Sequence, residues 1–339
     1  MAGGFGVGEG GRERGLSRLG EDLFGQLRQR LPHEEGVAAL QRQGEESAAV
    51  VEDGHGLGGC GLVGGAQVFG GLAGGLGLLG VLLLAVPLRG GGLHTTATGR
   101  LELERAQELL RQYLPPPPAR VLDVGGGPGT HARWLVEDGY EVVLLDPVPK
   151  HVEQARAYVP GCAAEIGDAR DVTLPAHGFD AVLLLGPLCH LADRADRLRA
   201  LSEARRVVVP RGLVAAAGIS RYSLMQDHTA SAGLTPDLLA GEVTEVVRTG
   251  SYDGSRGFTV VHFHTAAELA EEAVEAGLTD VRLHGIDGPG WAYVVAAGRC
   301  GGQEVAQALV ADAVATTRLA DDQGVFTDAS AHILVVGTS

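Results

Sequence analysis

The run VLDVGGGPGTHARWL, residues 121–135, sets Gly125, Gly126, Gly127 and Gly129 between an apolar stretch and a helix-compatible one. Glycines at a strand-to-helix turn allow tight turning and let the backbone approach a ligand closely. Alone, such a turn suits NAD, FAD or no ligand at all. A dinucleotide fingerprint of the form Gly-x-Gly-x-x-Gly/Ala, counted from Gly125 and Gly127, needs glycine or alanine at position 130, where Thr130 stands.

Asp123 lies two residues before Gly125, and its carboxylate is expected to face the ligand at the strand's C-terminal end. An anion there is a poor neighbour for a pyrophosphate and a good one for the cationic amino group of S-adenosylmethionine, which has no phosphate. A carboxylate that merely caps the loop is the plainer alternative. About twenty residues on, EVVLLDP ends its run with Asp146, from which a carboxylate accepts both hydroxyls of a ribose. That ribose is common to NAD and S-adenosylmethionine. In EIGDARDV, Asp168 and Ala169 follow a third apolar run, where a side-chain oxygen could accept from an adenine amino group. Asp168 alone would read as an ordinary turn residue after Gly167. Three acidic residues at three successive strand ends point to a nucleoside.

Positioning these groups takes a parallel sheet, and from Thr98 the chain alternates strand and helix patterns. The residue pattern predicts strands at Arg120–Val124, Glu141–Leu145, Ala163–Ile166, Phe179–Leu185, Leu213–Ile219, Val281–His284 and His332–Val336. Helices are expected at Thr98–Leu114 (stopped by Pro115–Pro118), His131–Glu137, Lys150–Val159, Asp193–Val207, Ala266–Ala276 and Gln303–Leu319. The run Ala292–Ala297 has no clear period and stays undecided. The fold class is α/β, a doubly wound, mostly parallel seven-stranded sheet of Rossmann-like type. Arg221–Gly257 is longer than a normal connection and is expected to form a lid over an acceptor, with Tyr222, Met225 and Tyr252 as candidate lining or packing residues.

The motifs D-V-G-G-G-P-G, acidic Asp146, G-D-A at 167–169, F-D-A-V-L-L-L-G-P-L-C-H-L from Phe179 and E-A-R-R-V-V-V-P-R-G-L ending at Leu213 resemble those of the class I S-adenosylmethionine-dependent methyltransferases. Within that class the chain is similar to a bacterial small-molecule group with L-G-P-L-Y-H-L after the fourth strand. It departs at Cys189, where tyrosine is expected, and at Arg211, where Pro-Gly-Gly is usual. The resemblance implies S-adenosylmethionine as cofactor. It implies that Asp123, Gly125, Gly126, Gly127 and Gly129 hold the methionine moiety, Asp146 the ribose, and Asp168 with Ala169 the adenine. Leu185 and Gly186 would then line the sulfonium end.

Methyl transfer is a displacement at a cationic donor, so alignment and exclusion of water matter more than obligatory catalytic side chains. If the acceptor is a hydroxyl or a ring carbon a general base helps, and His190 is the candidate, against a plain loop-structuring role. His262 and His264 alternate at a spacing that can suit metal ligands, but no carboxylate or cysteine stands near them in sequence. Thr265 with Glu268 reads as a capping box, so His264 is assigned to loop and cap, and no metal site is expected.

The chain's 339 residues divide unevenly: residues 1–93 hold roughly half of the 53 glycines and are expected to be a disordered extension, while 94–339 form the catalytic domain. Within the extension Gly56–Leu88 is uncharged and long enough to span a bilayer, but only Leu76–Leu88 is densely apolar, which disfavours a membrane role. No signal peptide is evident in residues 1–15. The formal charge of −15 repels phosphate backbones, so the expected partner is a small-molecule methyl acceptor and not nucleic acid. Four scattered cysteines, Cys60, Cys162, Cys189 and Cys300, fit a reducing cytoplasm. Rival functions are a non-catalytic S-adenosylmethionine-binding regulator or assembly partner, a membrane-tethered methyltransferase, and, weakest, a nicotinamide oxidoreductase. The sequence leaves the acceptor and the oligomeric state open.

Overall fold

The computed structural model describes residues 96–254, 260–321 and 324–339. The expected extension at 1–93, including Gly56–Leu88, lies outside the described residues, as do 255–257 of the expected lid.

Helix α1 (Ala97–Tyr113) starts at Thr96, whose side chain accepts from the Gly99 N–H, and it leads into the Pro115–Pro118 run. Then follow β1 (Arg120–Val124), α2 (Thr130–Glu137), β2 (Glu141–Asp146), α3 (Pro149–Tyr158), β3 (Ala163–Ile166) and β4 (Phe179–Leu184). A four-residue turn of helix, α4 (Pro187–His190), precedes α5 (Arg194–Val207) and β5 (Val208–Ile219). The sheet is completed by β8 (Thr279–Gly285) and β9 (His332–Thr338) in the order β3-β2-β1-β4-β5-β9-β8. Only β9 runs against its neighbours. The chain is therefore a doubly wound α/β protein with a seven-stranded, mostly parallel sheet.

Runs such as RVLDV and FDAVLL are apolar on both faces because helices cover both sides of a parallel sheet. On one side Leu109, Leu110, Ala132, Leu135, Val152 and Ala155 pack on Val121, Leu144 and Leu183. On the other, Leu188, Leu201, Ala204 and the α9 (Ala266–Glu275) residues Leu269 and Ala273 pack on Leu122, Leu145 and Val182. The strand order reverses between β1 and β4, which opens a crevice at the carboxyl ends of those strands.

Strand β5 starts earlier than the sequence predicts, at Val208, and its register on β4 shifts between Phe179 and Ala181. Arg211 absorbs that irregularity with φ of 64°, in the left-handed region that favours glycine. Its departure from Pro-Gly-Gly is thus a backbone matter, remote from the strand ends. The undecided Ala292–Ala297 falls inside helix α10 (Trp291–Cys300). Val294 of α10 packs in one cluster with Ala97 and Leu101 of α1 and Val310 and Val314 of α11 (Gly302–Ala320). No helix among the described residues is long and apolar enough to cross a membrane.

Candidate functional site

The glycine turn is stitched to β2: the N–H groups of Gly125 and Gly126 donate to the Leu145 carbonyl at 2.7 and 3.3 Å. A Cβ at Gly126 would lie 2.5 Å from Asp123 Oδ2 and 2.7 Å from Leu144 Cδ1, so the carboxylate itself excludes any side chain there. Gly127 takes φ of 57°, and a Cβ on it would meet nothing within 4 Å, so its outer face is open. Asp123 is buried and its Oδ2 has no hydrogen-bond partner. Burial, and then the Asp146 carboxylate, push it up to about 7, against the Ala132 backbone N–H. An orphaned, buried acid beneath an open glycine turn fits a cationic amino group, which would supply the missing partner.

A cavity of about 120 Å³ at the β1 and β4 ends is lined by Gly125, Gly127, Asp146, Asp168, Ala169, Gly186 and His190, among others. Asp146 Oδ2 accepts from the Gly127 N–H at 2.9 Å, while Oδ1 accepts from the Val148 N–H at 2.9 Å and faces His151 Nδ1 at 3.1 Å. Those bonds take three of roughly four lone-pair sites of a carboxylate. Asp168 is clamped by Arg170, whose Nη2 and Nε donate at 2.7 and 3.0 Å and hold the carboxyl below its usual range. His190 sits on this cavity's wall, and burial holds its ring below the usual histidine range against the pull of Asp146.

The structure thus brings together seven of the eleven residues singled out in the sequence. Asp123, Gly126 and Gly129 are not on the cavity wall: the first two lie beneath the turn, and Gly129 caps α2 with φ of 92°. Leu185 lines a separate cavity of about 30 Å³, shared with Glu102, Cys189, Gly218, Ile219 and His332. Burial lifts the Cys189 thiol to about 12, and the group donates to the Gly186 carbonyl.

A third cavity, of about 400 Å³, lies under the long connection after β5. That connection folds as α6 (Ser223–Ala230), the turn α7 (Pro236–Leu238), a π-helical stretch Leu239–Val243, α8 (Thr244–Thr249) and a two-stranded ribbon of β6 (Ser251–Tyr252) and β7 (Val261–His262). Of the three candidate lining residues only Tyr252 is on the wall, together with Phe263, Trp291, Leu224, Leu238, Ile219 and His332.

Carboxylates of α9 face His262 and His264 in space, which their immediate sequence neighbours do not signal. His262 Nε2 lies 3.0 Å from Glu268 Oε1, and His264 Nε2 lies 3.4 Å from Glu272 Oε2, because α9 returns its first two turns beneath the strand. The capping box of Thr265 and Glu268 is present, and His264, in the short segment between β7 and α9, is fully buried against Gly218 and Glu272.

Sequence reasoning also missed Glu102, Asp287 and His332, which meet from α1, the loop after β8 and the start of β9. Asp287 Oδ2 accepts from both the backbone N–H and Nδ1 of His332, each at 2.8 Å. Burial opposes a charge on the ring, but Glu102 and Asp287 outweigh it and raise His332 to about 10. No sequence signal joins three residues so far apart; the antiparallel pairing of β8 with β9, which sets Gly285 opposite Ile333, brings Asp287 to His332.

Residues 121–212 match the family described as "Methyltransferase domain". An uncharacterized methyltransferase of Mycobacterium bovis is 38% identical over 105 residues, covering 31% of this chain and 42% of that protein. The ubiquinone biosynthesis O-methyltransferase of Methylocella silvestris is 34% identical over 125 residues, 34% of this chain and 47% of the relative. The human protein named probable tRNA methyltransferase 9B is 32% identical over 110 residues, 32% of this chain and 23% of its own. The chain spans less than half the length of each of these relatives. Laid on this sheet order and glycine turn, the match shows that residues 121–212 carry a methyltransferase domain of the kind found in the class I S-adenosylmethionine-dependent methyltransferases, a family whose cofactor is S-adenosylmethionine.

Proposed function

We propose that this chain transfers a methyl group from S-adenosylmethionine to a small-molecule acceptor. The observation that carries the reading is the run of adjoining cavities along the carboxyl edge of the sheet. Gly186 lines the glycine-turn cavity and Leu185 the small one, while Ile219 and His332 line both the small one and the 400 Å³ cavity under the lid. That last volume falls in the range of about 300–1,000 Å³ used for small ligands. No lysine or arginine lines it among the described residues, and the formal charge of −15 works against a phosphate backbone.

In this reading Asp123 and the turn of Gly125, Gly126, Gly127 and Gly129 hold the methionine end. Asp168 and Ala169 receive the adenine, and Leu185 and Gly186 border the sulfonium. Asp146 receives the ribose; a diol that takes two lone pairs displaces one existing bond, and His151 is the only side-chain donor able to rotate away. His190 lines the cofactor's cavity, not the lid cavity, which supports a neutral wall group beside the cofactor. The bound cofactor supplies an electrophilic methyl on a sulfonium, so the protein's task is alignment and exclusion of water. Residues 94–339 are proposed as the complete catalytic unit.

The test is methyl-tritiated S-adenosylmethionine with the purified chain and either a protein-free metabolite extract or total tRNA. Label in small molecules of the extract is the expected result. Label in tRNA alone, or cofactor binding without transfer to either, would replace this reading by a tRNA enzyme or a non-catalytic binder.

A further inference from the structure

Glu102 of α1, Asp287 of the loop after β8 and His332 of β9 bring two carboxylates and an imidazole to one place, with one ligand atom of each within 4.8 Å of the others. The Asp287 carboxylate is aimed at the His332 ring, Oδ2 to Nδ1 at 2.8 Å, and Glu102 Oε2 lies 3.9 Å from the same nitrogen. Asp287 is fully buried, and its second oxygen, Oδ1, has no hydrogen-bond partner. Neither carboxylate forms an ion pair with a lysine or arginine among the described residues; His332 is the basic group they share. Two largely buried acids on one imidazole leave a negative charge without a counterion, which is costly away from water.

We propose that these three side chains hold a divalent transition-metal ion through Glu102 Oε2, Asp287 Oδ2 and His332 Nδ1. Ligand atoms about 2.1 Å from an ion stand about 3 Å apart when adjacent and about 4 Å apart when opposite. The separations from Nδ1, 2.8 and 3.9 Å, lie close to those limits. Glu102, on a flexible side chain that is a quarter exposed, closes the remaining gap. The ion takes the place of the hydrogen on Nδ1, so the ring is neutral with its hydrogen on Nε2, and the two carboxylates balance the ion's charge. One imidazole with two carboxylates suits manganese, iron or zinc better than magnesium or calcium, which prefer oxygen ligands alone. The cavity of about 30 Å³ that Glu102 and His332 border has room for a water as a further ligand.

The ligands are held in place by their neighbours. Ser330 Oγ accepts from the Asp287 and Gly288 N–H groups at 2.9 and 2.8 Å, and Thr317 Oγ1 donates to the Asp287 carbonyl at 2.8 Å. Any Cβ at Gly288, where φ is 61°, would collide with Thr317, so this close approach needs glycine. The Ile286 N–H donates to the His332 carbonyl at 2.9 Å, which ties the loop to the start of β9. Outer contacts of this kind orient metal ligands and raise affinity. The pairs His262 with Glu268 and His264 with Glu272 differ, because each of those carboxylates also accepts from an arginine, Arg221 or Arg197, and its charge is already balanced.

The test strips the full chain with EDTA, moves it to metal-free buffer and titrates Mn²⁺, reading free Mn²⁺ by electron paramagnetic resonance. One Mn²⁺ per chain, displaced by Zn²⁺, and a Tm raised by either ion are expected. Glu102→Gln and His332→Gln are each expected to weaken Mn²⁺ binding at least about 100-fold, and His262→Gln to leave it unchanged. Glu102→Gln, the least buried of the three positions, should keep the metal-free Tm and the S-adenosylhomocysteine affinity of the wild type. No Mn²⁺ or Zn²⁺ bound by the wild type, or binding that survives in Glu102→Gln, would overturn the site. A wild type that binds Mn²⁺ but not S-adenosylhomocysteine would overturn the methyltransferase reading alone.

Discussion

Asp123, proposed to hold the amino group of the cofactor, links that role to stability. Its folded-state value, about 7, lies above the ordinary 3.8, so between those pH values the native state holds a proton that the unfolded chain has lost. The contribution of this one group to stability is therefore full below about pH 4, falls as pH rises toward 7 and levels off above, by an amount on the order of 4 kcal/mol. Asp123→Asn should raise the Tm of the cofactor-free protein at pH 8 and change it little at pH 4.5, while removing affinity for S-adenosylhomocysteine. Calorimetry at pH 6 in two buffers of different ionisation enthalpy should show proton release on binding in the wild type and none in the variant; a variant with lower Tm at pH 8 would contradict the assignment. The three acids Asp123, Asp146 and Asp168 were legible in the sequence because each follows an apolar run at a strand end. Their partners were less so. Arg170 stands two residues beyond Asp168 in a turn that could have been read, whereas the meeting of Asp287 with His332 depends on the last strand pairing antiparallel with β8.

At the scale of elements, α5 and α9 are joined by an ion pair withdrawn from water. Arg197 donates Nη2 to Glu272 Oε1 at 2.7 Å and Nη1 to the carbonyls of Leu191 and Ala192 at 3.0 and 2.9 Å, with both side chains essentially inaccessible. The same helix face reaches β7 and the root of the lid through His262 and Arg221, both bonded to Glu268. Breaking one partner leaves a charge buried alone. Arg197→Met is expected to lower the urea unfolding free energy by about 3–5 kcal/mol, and Arg197→Met with Glu272→Met to recover most of that loss. A single variant within about 0.5 kcal/mol of wild type would show the pair to be solvated. Strand and helix positions were legible wherever one period dominated, as in α1 and β1. Helix α10 was not, because it meets α1, α11 and α6 on different sides and its apolar residues keep no single stripe.

Across the whole molecule, the sheet order places the ends of β1, β2 and β4 on one edge and lays the lid segment over the end of β5. That the connection after β5 would fold into elements of its own could be expected from its length, but not its ribbon or its π-helical stretch, since neither has a periodic signature in so short a run. The glycine turn with Asp123 is proposed to select a phosphate-free, amino-bearing nucleoside. Isothermal titration of the full chain and of the 94–339 fragment with S-adenosylhomocysteine and with NAD tests it directly. One S-adenosylhomocysteine per chain, equal affinity in the two proteins and no heat with NAD are expected. Tight NAD binding without S-adenosylhomocysteine binding would contradict it.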